Sequence, residues 1–578
     1  MKKIIAAAVF CWLLLVQLGA VELKPVKYVF LFIGDGTSYP QREAANRYLK
    51  ATNAEPLFID AMPFHRSTRT AAANNVVTDS AASGTAIACG SKTNKNMLGL
   101  APDGSLLESC ATLARKNGRK VGILTSVTLN NATPAAFYGH QDNRHNYYLL
   151  GTELVKSGFD YFAGGAVADA MPRSTARPDN IPALKQRIAA LEAEIESCRK
   201  ANARIDAGRQ EARKTGDNAK FEAFQKEKKA NSTRWKKAHD QLRYANQDLK
   251  TAENFVGNIM DYAKQNGFLT IFSRSRERIS ALKPGCGKVI AVGKTLSGPL
   301  QWEIDAAGDV QATSLAFLTA KGIELLDNQN GFFMMIEGGK IDWSCHGNDA
   351  GTMLREVLGF DDAVKVAADF AKRHPQDTLI VVTGDHETGG LCLPGTPEQL
   401  KNLGAQKHSA DYFSRKLRQL KKEGGEDKLA KAKALVTECF GLQFDGEGPM
   451  TMNADEKMAL EGALLRALGE KSAIEVGFYD NAAAAIKAGK NPGAVFLATL
   501  LVSRKSGLEW GTQGHTALPV RTSAMGAQAE EFLAPGNLTE EQKKPYYTHD
   551  PKIEVPLPEI DNSDIGIRLK QVVAPLQI

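Results

Sequence analysis

The stretch Tyr28-Val-Phe-Leu-Phe-Ile33-Gly34-Asp35-Gly36 decides the fold. Six consecutive apolar residues have the length of one strand, and an unbroken apolar run is typical of a strand buried on both faces of a parallel sheet. An acid between two glycines follows at once. α/β sheets place their ligands just past the carboxyl ends of such strands. Asp35 is therefore a candidate site residue, with a plain turn as the alternative interpretation.

Three other apolar runs end in the same way. The run 121–125 ends at Thr125 and precedes Ala132-Thr133-Pro134 and Arg144, the run 332–336 ends before Glu337, and the run 378–382 ends before Thr383-Gly384-Asp385-His386. Helical patterns lie between these runs. The alternation predicts an α/β fold: a doubly wound, mostly parallel central sheet with helices on both faces.

A second key stretch is Val76-Val-Thr-Asp-Ser80-Ala-Ala-Ser-Gly-Thr85. Its small residues after a polar turn predict the start of a helix at Ser80. Free backbone N–H groups and the helix dipole favour an anion at that end. Ser80 is thus either a helix cap or a nucleophile beside an anion site.

Two histidine motifs complete the set of candidate residues. Asp342 and His346 are four residues apart, so on a helix they share one face and could hold one metal ion. His515 lies far downstream in Gly511-Thr-Gln-Gly514-His515-Thr516. Imidazole suits zinc, whereas carboxylates with hydroxyls suit magnesium.

The composition is that of a globular protein, with 43% of the 578 residues hydrophobic and 24% charged. A formal net charge of +7 suits anionic substrates. The absence of a basic arm or zinc-finger spacing argues against a nucleic-acid partner.

Residues 1–20 have the pattern of a signal peptide, because Lys2 and Lys3 precede an apolar run from Ile4 to Leu18. An uncleaved anchor is the alternative. No later run is long enough to span a bilayer. The sequence therefore predicts a periplasmic or secreted protein with a catalytic region over 21–578. One or two disulfides are expected among the cysteines after the signal.

Two insertions interrupt the α/β pattern. Apolar residues at alternating spacings of four and three predict an antiparallel helical hairpin over 178–256, with a turn at 215–218. Polar seam residues at Asn202, Lys228 and Asn231 predict weak packing near its tip. A second, mainly helical insertion is expected over 396–490. The hairpin is either a solvated decoration or a contact surface, for a second subunit in a homodimer or for the cell envelope.

The candidate residues favour a difficult hydrolysis. Phosphate monoester hydrolysis needs accelerations of up to ~10²¹-fold, whereas one general base supplies about 10²–10⁴. Two metal ions can stabilise both the attacking and the leaving oxygen. Ordinary ester cleavage would need only a Ser-His-Asp set, and no Gly-x-Ser-x-Gly motif surrounds Ser80.

These motifs together resemble the alkaline phosphatase family. The matching stretches occur in the family's order over roughly 28–520: Ile33-Gly-Asp-Gly36, Val77-Thr-Asp-Ser-Ala-Ala82, Ala132-Thr-Pro-Ala-Ala136 with Arg144, Ile336-Glu-Gly-Gly339 with Asp342 and His346, Thr383-Gly-Asp-His-Glu-Thr388, and Gly514-His515-Thr516. Each stretch is weak alone, but six in order are specific.

The resemblance implies a role for each residue in hydrolysing small phosphate monoesters. Ser80 would be the nucleophile and form a phosphoserine, and Arg144 would bind two phosphate oxygens. Two zinc ions and one magnesium ion are implied as cofactors. The implied ligand sets are Asp35, Asp385 and His386 for the zinc beside Ser80; Asp342, His346 and His515 for the second zinc; and Asp35, Thr133 and Glu337 for magnesium.

Two departures from the family pattern stand out. Asn131 replaces an acid or histidine that some relatives carry beside the third metal, and Trp343 replaces a lysine or histidine. Both predict a weak dependence on magnesium.

Three alternatives stay open beside the phosphatase reading. Ser38-Tyr-Pro-Gln-Arg42 fits a sulfatase pattern, related sites cleave phosphodiesters, and a non-catalytic scaffold would need no metal.

Overall fold

The computed structural model describes residues 22–272, 276–293, 298–470, 493–545 and 553–576. The predicted signal peptide, residues 1–20, lies outside these ranges, as does the end of the second predicted insertion from residue 471. The described residues form two compact units. One draws on Met1–Arg144, Glu153–Ala168 and Asn266–Ile578, and the other consists of His145–Thr152 and Asp169–Gln265.

The first unit contains fourteen strands among the described residues. They are β1 (Tyr28–Gly34), β2 (Phe64–Arg69), β3 (Lys120–Thr125), β4 (Tyr161–Gly164), β5 (Phe268–Phe272), β6 (Lys288–Val292), β7 (Phe332–Glu337), β8 (Thr378–Gly384), β9 (Glu387–Thr388), β10 (Leu391–Cys392), β11 (Glu509–Trp510), β12 (His515–Thr516), β13 (Val520–Gly526) and β14 (Ile560–Asp561).

Twenty α-helices occur in the described parts of the chain. They are α1 (Tyr39–Ala51), α2 (Ser80–Cys89), α3 (Cys110–Lys116), α4 (Ala132–Ala135), α5 (Tyr147–Ser157), α6 (Ile181–Lys214), α7 (Asn218–Glu253), α8 (Ile259–Gln265), α9 (Arg276–Ser280), α10 (Glu303–Ala306), α11 (Leu315–Leu326), α12 (Lys340–His346), α13 (Ala350–Arg373), α14 (Ala410–Glu423), α15 (Lys428–Phe440), α16 (Ala454–Leu468), α17 (Ala494–Lys505), α18 (Ala529–Phe532), α19 (Glu540–Lys543) and α20 (Asn562–Val572).

Ten strands form the central sheet in the order β14-β2-β13-β8-β1-β7-β3-β4-β6-β5. Every neighbouring pair is parallel except those that β13 makes with β2 and β8. Strands β1, β7 and β8 are buried along their whole lengths. This confirms the predicted α/β class with its mostly parallel sheet, and explains why these strands are apolar at every position.

The sheet register aligns the carboxyl ends of its four central strands. In the order β8-β1-β7-β3, Gly384 pairs with Gly34, Ile33 pairs with Glu337, and Glu337 pairs with Thr125. Below this edge Phe30 contacts the rings of Phe332 and Phe370 at centroid distances of 5.1 and 5.8 Å. A rigid aromatic core therefore supports the edge on which the predicted residues lie.

The second unit contains the predicted hairpin as helices α6 and α7. Its seam buries Leu191, Cys198 and Ile205 from α6 together with Ala238 and Ala245 from α7, as the spacing predicts. The helices are regular up to Lys214 and again from Asn218, with Gly216 at φ +70° in the turn.

The prediction of weak packing near the hairpin tip is wrong. Asn231 Nδ2 donates to the Cys198 carbonyl at 2.8 Å and to Asn202 Oδ1 at 2.9 Å. Lys228 Nζ lies 2.5 Å from Asp206 Oδ1. Each of the three polar seam residues thus has a partner on the opposite helix, which holds the two helices together at the tip.

The described part of the second predicted insertion is mainly helical, comprising a 3₁₀ segment (Pro397–Ala405) and helices α14 to α16. The boundaries of both insertions and of the catalytic region stay predictions. The disulfides expected from the sequence are not formed among the seven cysteines of the described ranges. No helix in those ranges combines the length and apolar character that a membrane crossing requires.

Candidate active site

The aligned strand ends bring four polar side chains to one edge of the sheet. Asp35 follows β1, Asp385 follows β8, and Glu337 and Thr125 are the last residues of β7 and β3. All four side chains are buried. Because their strands are adjacent and in register, these groups face one another although they lie up to 350 residues apart in sequence.

Ser80 is the first residue of helix α2, as the sequence predicts. The helix is capped by Asp79, whose side chain accepts from the Ala82 amide. Ser80 Oγ lies 3.2 Å from His386 Nε2. The hydroxyl therefore combines a helix N-terminus with direct contact to an imidazole of the strand-end cluster.

The first cluster consists of Asp35, Asp385 and His386, with one oxygen or nitrogen atom of each within 4.8 Å of the others. His386 Nε2 lies 3.4 Å from Asp35 Oδ1 and 3.2 Å from Asp385 Oδ2. Neither oxygen has a hydrogen-bond partner among the described residues, and both are buried. Three electron-pair donors thus face one another in a buried space.

The second cluster is built by helix α12 and by the short β9–β12 ladder. Asp342 and His346 lie one turn apart on α12, with Oδ2 and Nε2 3.2 Å apart. The pairing of His515 with Thr388 brings the downstream histidine in, so that its Nε2 is 3.6 Å from Asp342 Oδ1 and 3.3 Å from His346 Nε2. His386 stacks on His515 at a centroid distance of 3.6 Å and so joins the two clusters.

Gly36 sets how closely the two clusters approach. Its φ is +71°, and an added Cβ would lie 2.8 Å from Asp342 Cα. Only glycine adopts this conformation without cost and leaves room for the α12 backbone. The glycine after Asp35 therefore allows the first cluster to lie against the second.

All three histidines direct Nδ1 away from the carboxylates. The carbonyls of Gln513 and Thr78 lie 2.5 and 2.9 Å from Nδ1 of His346 and His515. A carbonyl only accepts, so each of these two Nδ1 atoms carries a proton. Thr388 Oγ1 lies 3.2 Å from His386 Nδ1 and 2.5 Å from Asp342 Oδ1. This arrangement is typical of histidines that ligate a metal through Nε2.

A third group of oxygens surrounds Glu337. Thr133 Oγ1 on helix α4 donates to Asp35 Oδ2 at 3.3 Å, and Thr125 Oγ1 donates to Glu337 Oε2. Glu337 Oε1 is buried without a hydrogen-bond partner among the described residues. The group contains oxygen ligands only, which is the donor chemistry that magnesium prefers.

Arg144 lies at the rim of the site. Its Nη1 donates to Asp79 Oδ2 at 3.2 Å and its Nη2 to Asn131 Oδ1 at 3.5 Å. The guanidinium therefore bridges the cap of the Ser80 helix and the start of α4. Trp343 on α12 is partly exposed, with 37% of its surface accessible.

The electrostatics of the clusters follow from burial. Burial raises the pKa of Asp35 and of Asp385 well above the usual range, and neighbouring carboxylates raise it further. Burial likewise raises the pKa of Glu337 to about 7. Burial and the charge of His515 hold the pKa of His386 well below its usual value, so this imidazole is neutral.

A cation fits this arrangement. Buried carboxylate oxygens without partners are costly, and like-charged neighbours add to the cost. Asp35 Oδ1, Asp385 Oδ2 and Glu337 Oε1 are all buried oxygens of this kind, and Nε2 of the neutral His386 imidazole faces the first two. The residues of this site therefore fit divalent metal ions.

The structure brings every predicted site residue into this region, and it adds three that the sequence reasoning did not single out. Asp79 holds Arg144, Thr125 bonds Glu337, and Thr388 connects Asp342 to His386. Asp79 and Thr388 lie inside the quoted motifs, and Thr125 ends a predicted strand. Their position in or beside these motifs is the sequence feature that could have indicated them.

The sulfatase interpretation of Ser38 receives no support from its surroundings. Ser38 is fully buried at the start of helix α1, and its Oγ donates to the Pro519 carbonyl at 2.6 Å. The side chain is a structural hydrogen-bond donor here.

Comparison with known proteins agrees with the site. A family model described as alkaline phosphatase matches residues 26–156 and 224–544. Alkaline phosphatase 3 of Bacillus subtilis (strain 168) is 25% identical over 528 residues, covering 89% of this chain and 87% of the relative. Alkaline phosphatase 4 of the same organism is 25% identical over 404 residues, 68% of each protein.

Solved structures share the fold. The crystal structure of Thermus thermophilus alkaline phosphatase superposes with a TM-score of 0.63 at 19% identity, covering 96% of this chain and 92% of that one. The cold-active alkaline phosphatase of Shewanella sp. gives a TM-score of 0.61 at 20% identity, covering 94% and 99%.

The family match covers well over half of the chain, and it defines the class of the protein as a phosphatase enzyme. More narrowly, the chain belongs to the alkaline phosphatase family, whose members depend on metal ions and hydrolyse phosphate monoesters. The scaffold interpretation is thereby excluded.

Proposed function

We propose that this chain hydrolyses small phosphate monoesters through a phosphoserine on Ser80. The observation that carries the proposal is the contact of 3.2 Å between Ser80 Oγ and His386 Nε2 at the N-terminus of helix α2. A nucleophile placed there faces both the positive end of the helix and the buried donor clusters.

The proposed metal ligands follow the three groups of donors. Asp35, Asp385 and His386 would hold one zinc ion, and Asp342, His346 and His515 a second. Asp35, Thr133 and Glu337 would hold magnesium. When bound, such ions supply Lewis acidity that lowers the pKa of a hydroxyl and stabilises negative charge on phosphate oxygens.

The proposed role of Arg144 is to bind two oxygens of the phosphoryl group. A planar guanidinium donates two parallel hydrogen bonds to such a pair. A phosphate monoester carries three non-bridging oxygens and a diester only two, so only a monoester can give two oxygens to the guanidinium and still turn a third toward the donor clusters. Asp79 and Asn131 would orient the guanidinium, since they accept from its two terminal nitrogens.

The proposed reaction has two displacements. The Ser80 hydroxyl gives its proton to water as Oγ forms a bond to phosphorus and the bond from phosphorus to the ester oxygen breaks. The departing alkoxide takes a proton from water and leaves as the alcohol. A water molecule then forms a new bond to phosphorus and the Ser80 O–P bond breaks. Inorganic phosphate departs and the hydroxyl of Ser80 is restored.

Acid quenching during turnover of a ³²P-labelled aryl phosphate tests the proposal. We expect acid-stable label on the tryptic peptide that contains Ser80, and loss of both label and most activity in Ser80→Ala. Ser83→Ala is the matched control, because Ser83 lies on the same helix and donates to the Asp385 carbonyl. Label on another residue, or full activity in Ser80→Ala, would contradict the mechanism.

We also propose export to the periplasm or medium, which rests on the pattern of residues 1–20. N-terminal sequencing of the protein recovered outside the cytoplasm tests it. Recovery of the intact N-terminus in the cytoplasm would oppose it. A homodimer stays a separate proposal, and the mass in solution decides it.

A further inference from the structure

The positive charge of the chain is concentrated in the distal part of the hairpin. Residues 199–237 contain 13 lysines and arginines but only five acidic residues. The whole chain has a formal net charge of only +7. All other residues taken together are therefore close to neutral, and the end of the hairpin is the dominant source of positive potential in the sequence.

Four lysines of this segment lie on one face of helix α7. Lys226, Lys229, Lys236 and Lys237 fall within an arc of about 100° at 3.6 residues per turn. All four side chains are exposed. Two exposed acids fall in the same arc, Glu222 one turn before Lys226 and Asp240 one turn after Lys237, so they flank the four lysines and do not lie among them.

The ion pairs of the hairpin use other basic residues. Arg204 pairs with Glu227, Lys228 with Asp206, and Arg234 with Glu194. Within the described hairpin, none of the four lysines on the row forms such a pair. The ammonium groups of these four lysines therefore face solvent and can interact with a binding partner.

An exposed tyrosine continues the row. Tyr244 lies five turns after Lys226 on the same face, about 27 Å further along the helix. Its side chain is 48% exposed, and the guanidinium of Arg243 lies 5.0 Å from its ring centroid. We define Lys226, Lys229, Lys236, Lys237 and Tyr244 as the lysine face.

We propose that the lysine face docks on a surface of anionic lipid headgroups. A row of ammonium groups on a convex helix contacts a plane along its whole length, and each lysine near an anionic membrane adds to binding. Tyrosine is enriched at the boundary between water and lipid. The row lacks arginine, whose forked guanidinium is the usual group for reading individual phosphates in nucleic acids.

Vesicle sedimentation with the full-length protein tests the proposal. The probes are vesicles of 30% phosphatidylglycerol in phosphatidylcholine, vesicles of pure phosphatidylcholine, and a 30-base-pair DNA duplex, all in 50 mM salt. We expect binding to the anionic vesicles that weakens in 500 mM salt. Replacing Lys226, Lys229, Lys236 and Lys237 by Gln should weaken it on the order of 600-fold, from about fivefold per lysine.

A matched variant separates the lysine face from general charge. Replacing Lys401, Lys416, Lys421 and Lys422 by Gln removes the same four charges from exposed positions elsewhere. It should bind within about threefold of the wild type, since it leaves the row intact. The thermal midpoint of each variant verifies folding.

Three results would overturn the proposal. The wild type could fail to bind the anionic vesicles or bind neutral ones equally well. The two quadruple variants could lose affinity equally. Or the duplex could bind more tightly than the vesicles and lose affinity in the lysine-face variant, which would assign the face to nucleic acid instead.

Discussion

Asp79 and Arg144 form an ion pair of 3.2 Å between Oδ2 and Nη1, and Oδ1 of the same carboxylate accepts from the Ala82 amide at 3.2 Å. One side chain thus caps the helix that begins at Ser80 and orients the guanidinium beside it. Its two functions can be separated, because asparagine caps a helix about as well as aspartate but carries no charge.

The Asp79 variants should therefore differ in stability more than in activity. Asp79→Ala should lose about 1 kcal/mol of unfolding free energy, whereas Asp79→Asn should lose only a few tenths. Both should lower kcat/KM on an aryl phosphate severalfold, because Arg144 loses its charged partner. Denaturant unfolding and steady-state kinetics measure the two effects. Equal destabilisation by both variants would show that capping is not the role of Asp79.

Arg144→Ala should distinguish monoester from diester chemistry. We expect kcat/KM for an aryl phosphate monoester to fall by about 10- to 100-fold, the loss of two charge-assisted hydrogen bonds in a partly solvated site. The residual rate on a bis-aryl diester should change by less than about threefold, because a diester cannot occupy the clamp in the same way. An equal loss on both substrates would favour a phosphodiesterase.

Removal of metal ions should affect stability as well as catalysis. The carboxylates of Asp35 and Asp385 are buried beside each other with oxygens that lack partners. Their repulsion should lower the thermal midpoint of chelator-treated protein by several degrees, and zinc should restore both the midpoint and the activity. Elemental analysis should find about two zinc ions per chain. Full activity in stripped protein would refute the metal assignment, and a strong need for magnesium would contradict the expectation from Asn131 and Trp343.

Glu303 should make stability depend on pH outside the candidate site. Burial, assisted by the charge of Glu356 and Asp362 and opposed by Lys340, raises its pKa to about 7 from 4.5. A raised carboxyl pKa means that its favourable contribution is complete below pH 4.5 and is lost as the pH rises through about 7. The unfolding free energy of Glu303→Gln should therefore match that of the wild type near pH 5 and be higher by about 3 kcal/mol at pH 9.

The control for Glu303 is Glu398→Gln, an exposed side chain whose replacement should leave the pH profile of stability unchanged. Unfolding curves at pH 5, 7 and 9 measure all three proteins. A Glu303→Gln advantage that stays constant with pH would contradict titration of this carboxyl.

The hairpin should be dispensable for catalysis. No proposed ligand, nucleophile or phosphate-binding residue lies within 178–256. Replacing these residues by a short Gly/Ser linker should leave kcat/KM on a small aryl phosphate within about tenfold, a barrier change of about 1.4 kcal/mol. A shortened protein that folds and binds zinc but has lost catalysis would place the hairpin in the active site.

Local patterns were enough to predict the sheet and most of the candidate site. Strands buried on both faces are apolar throughout, and the polar residue that follows such a strand is visible without any knowledge of its neighbours. Asp35, Glu337 and Asp385 were found in this way. The separation of four residues likewise predicted that Asp342 and His346 share one face of helix α12.

Contacts between residues that only the chain topology brings together could not be predicted from the sequence. Arg144 reaches Asp79 across 65 residues, Thr388 reaches Asp342 across 46, and His515 joins the site through the pairing of β9 with β12. The hairpin tip shows the same limit. Asn231 looked like a defect in the seam, but its amide finds a carbonyl on the opposite helix.

The position of β13 in the sheet has a consequence for biosynthesis. Strand β2 ends at Arg69, yet its neighbours β13 and β14 begin at Val520 and Ile560. At translation rates of about 5–20 residues per second, β2 waits roughly half a minute to a minute and a half before either neighbour exists. His515 emerges in the same late interval. On the proposed mechanism, a chain that has not yet reached His515 lacks one metal ligand, and its β2 edge at residues 64–69 stays open to pairing with other strands.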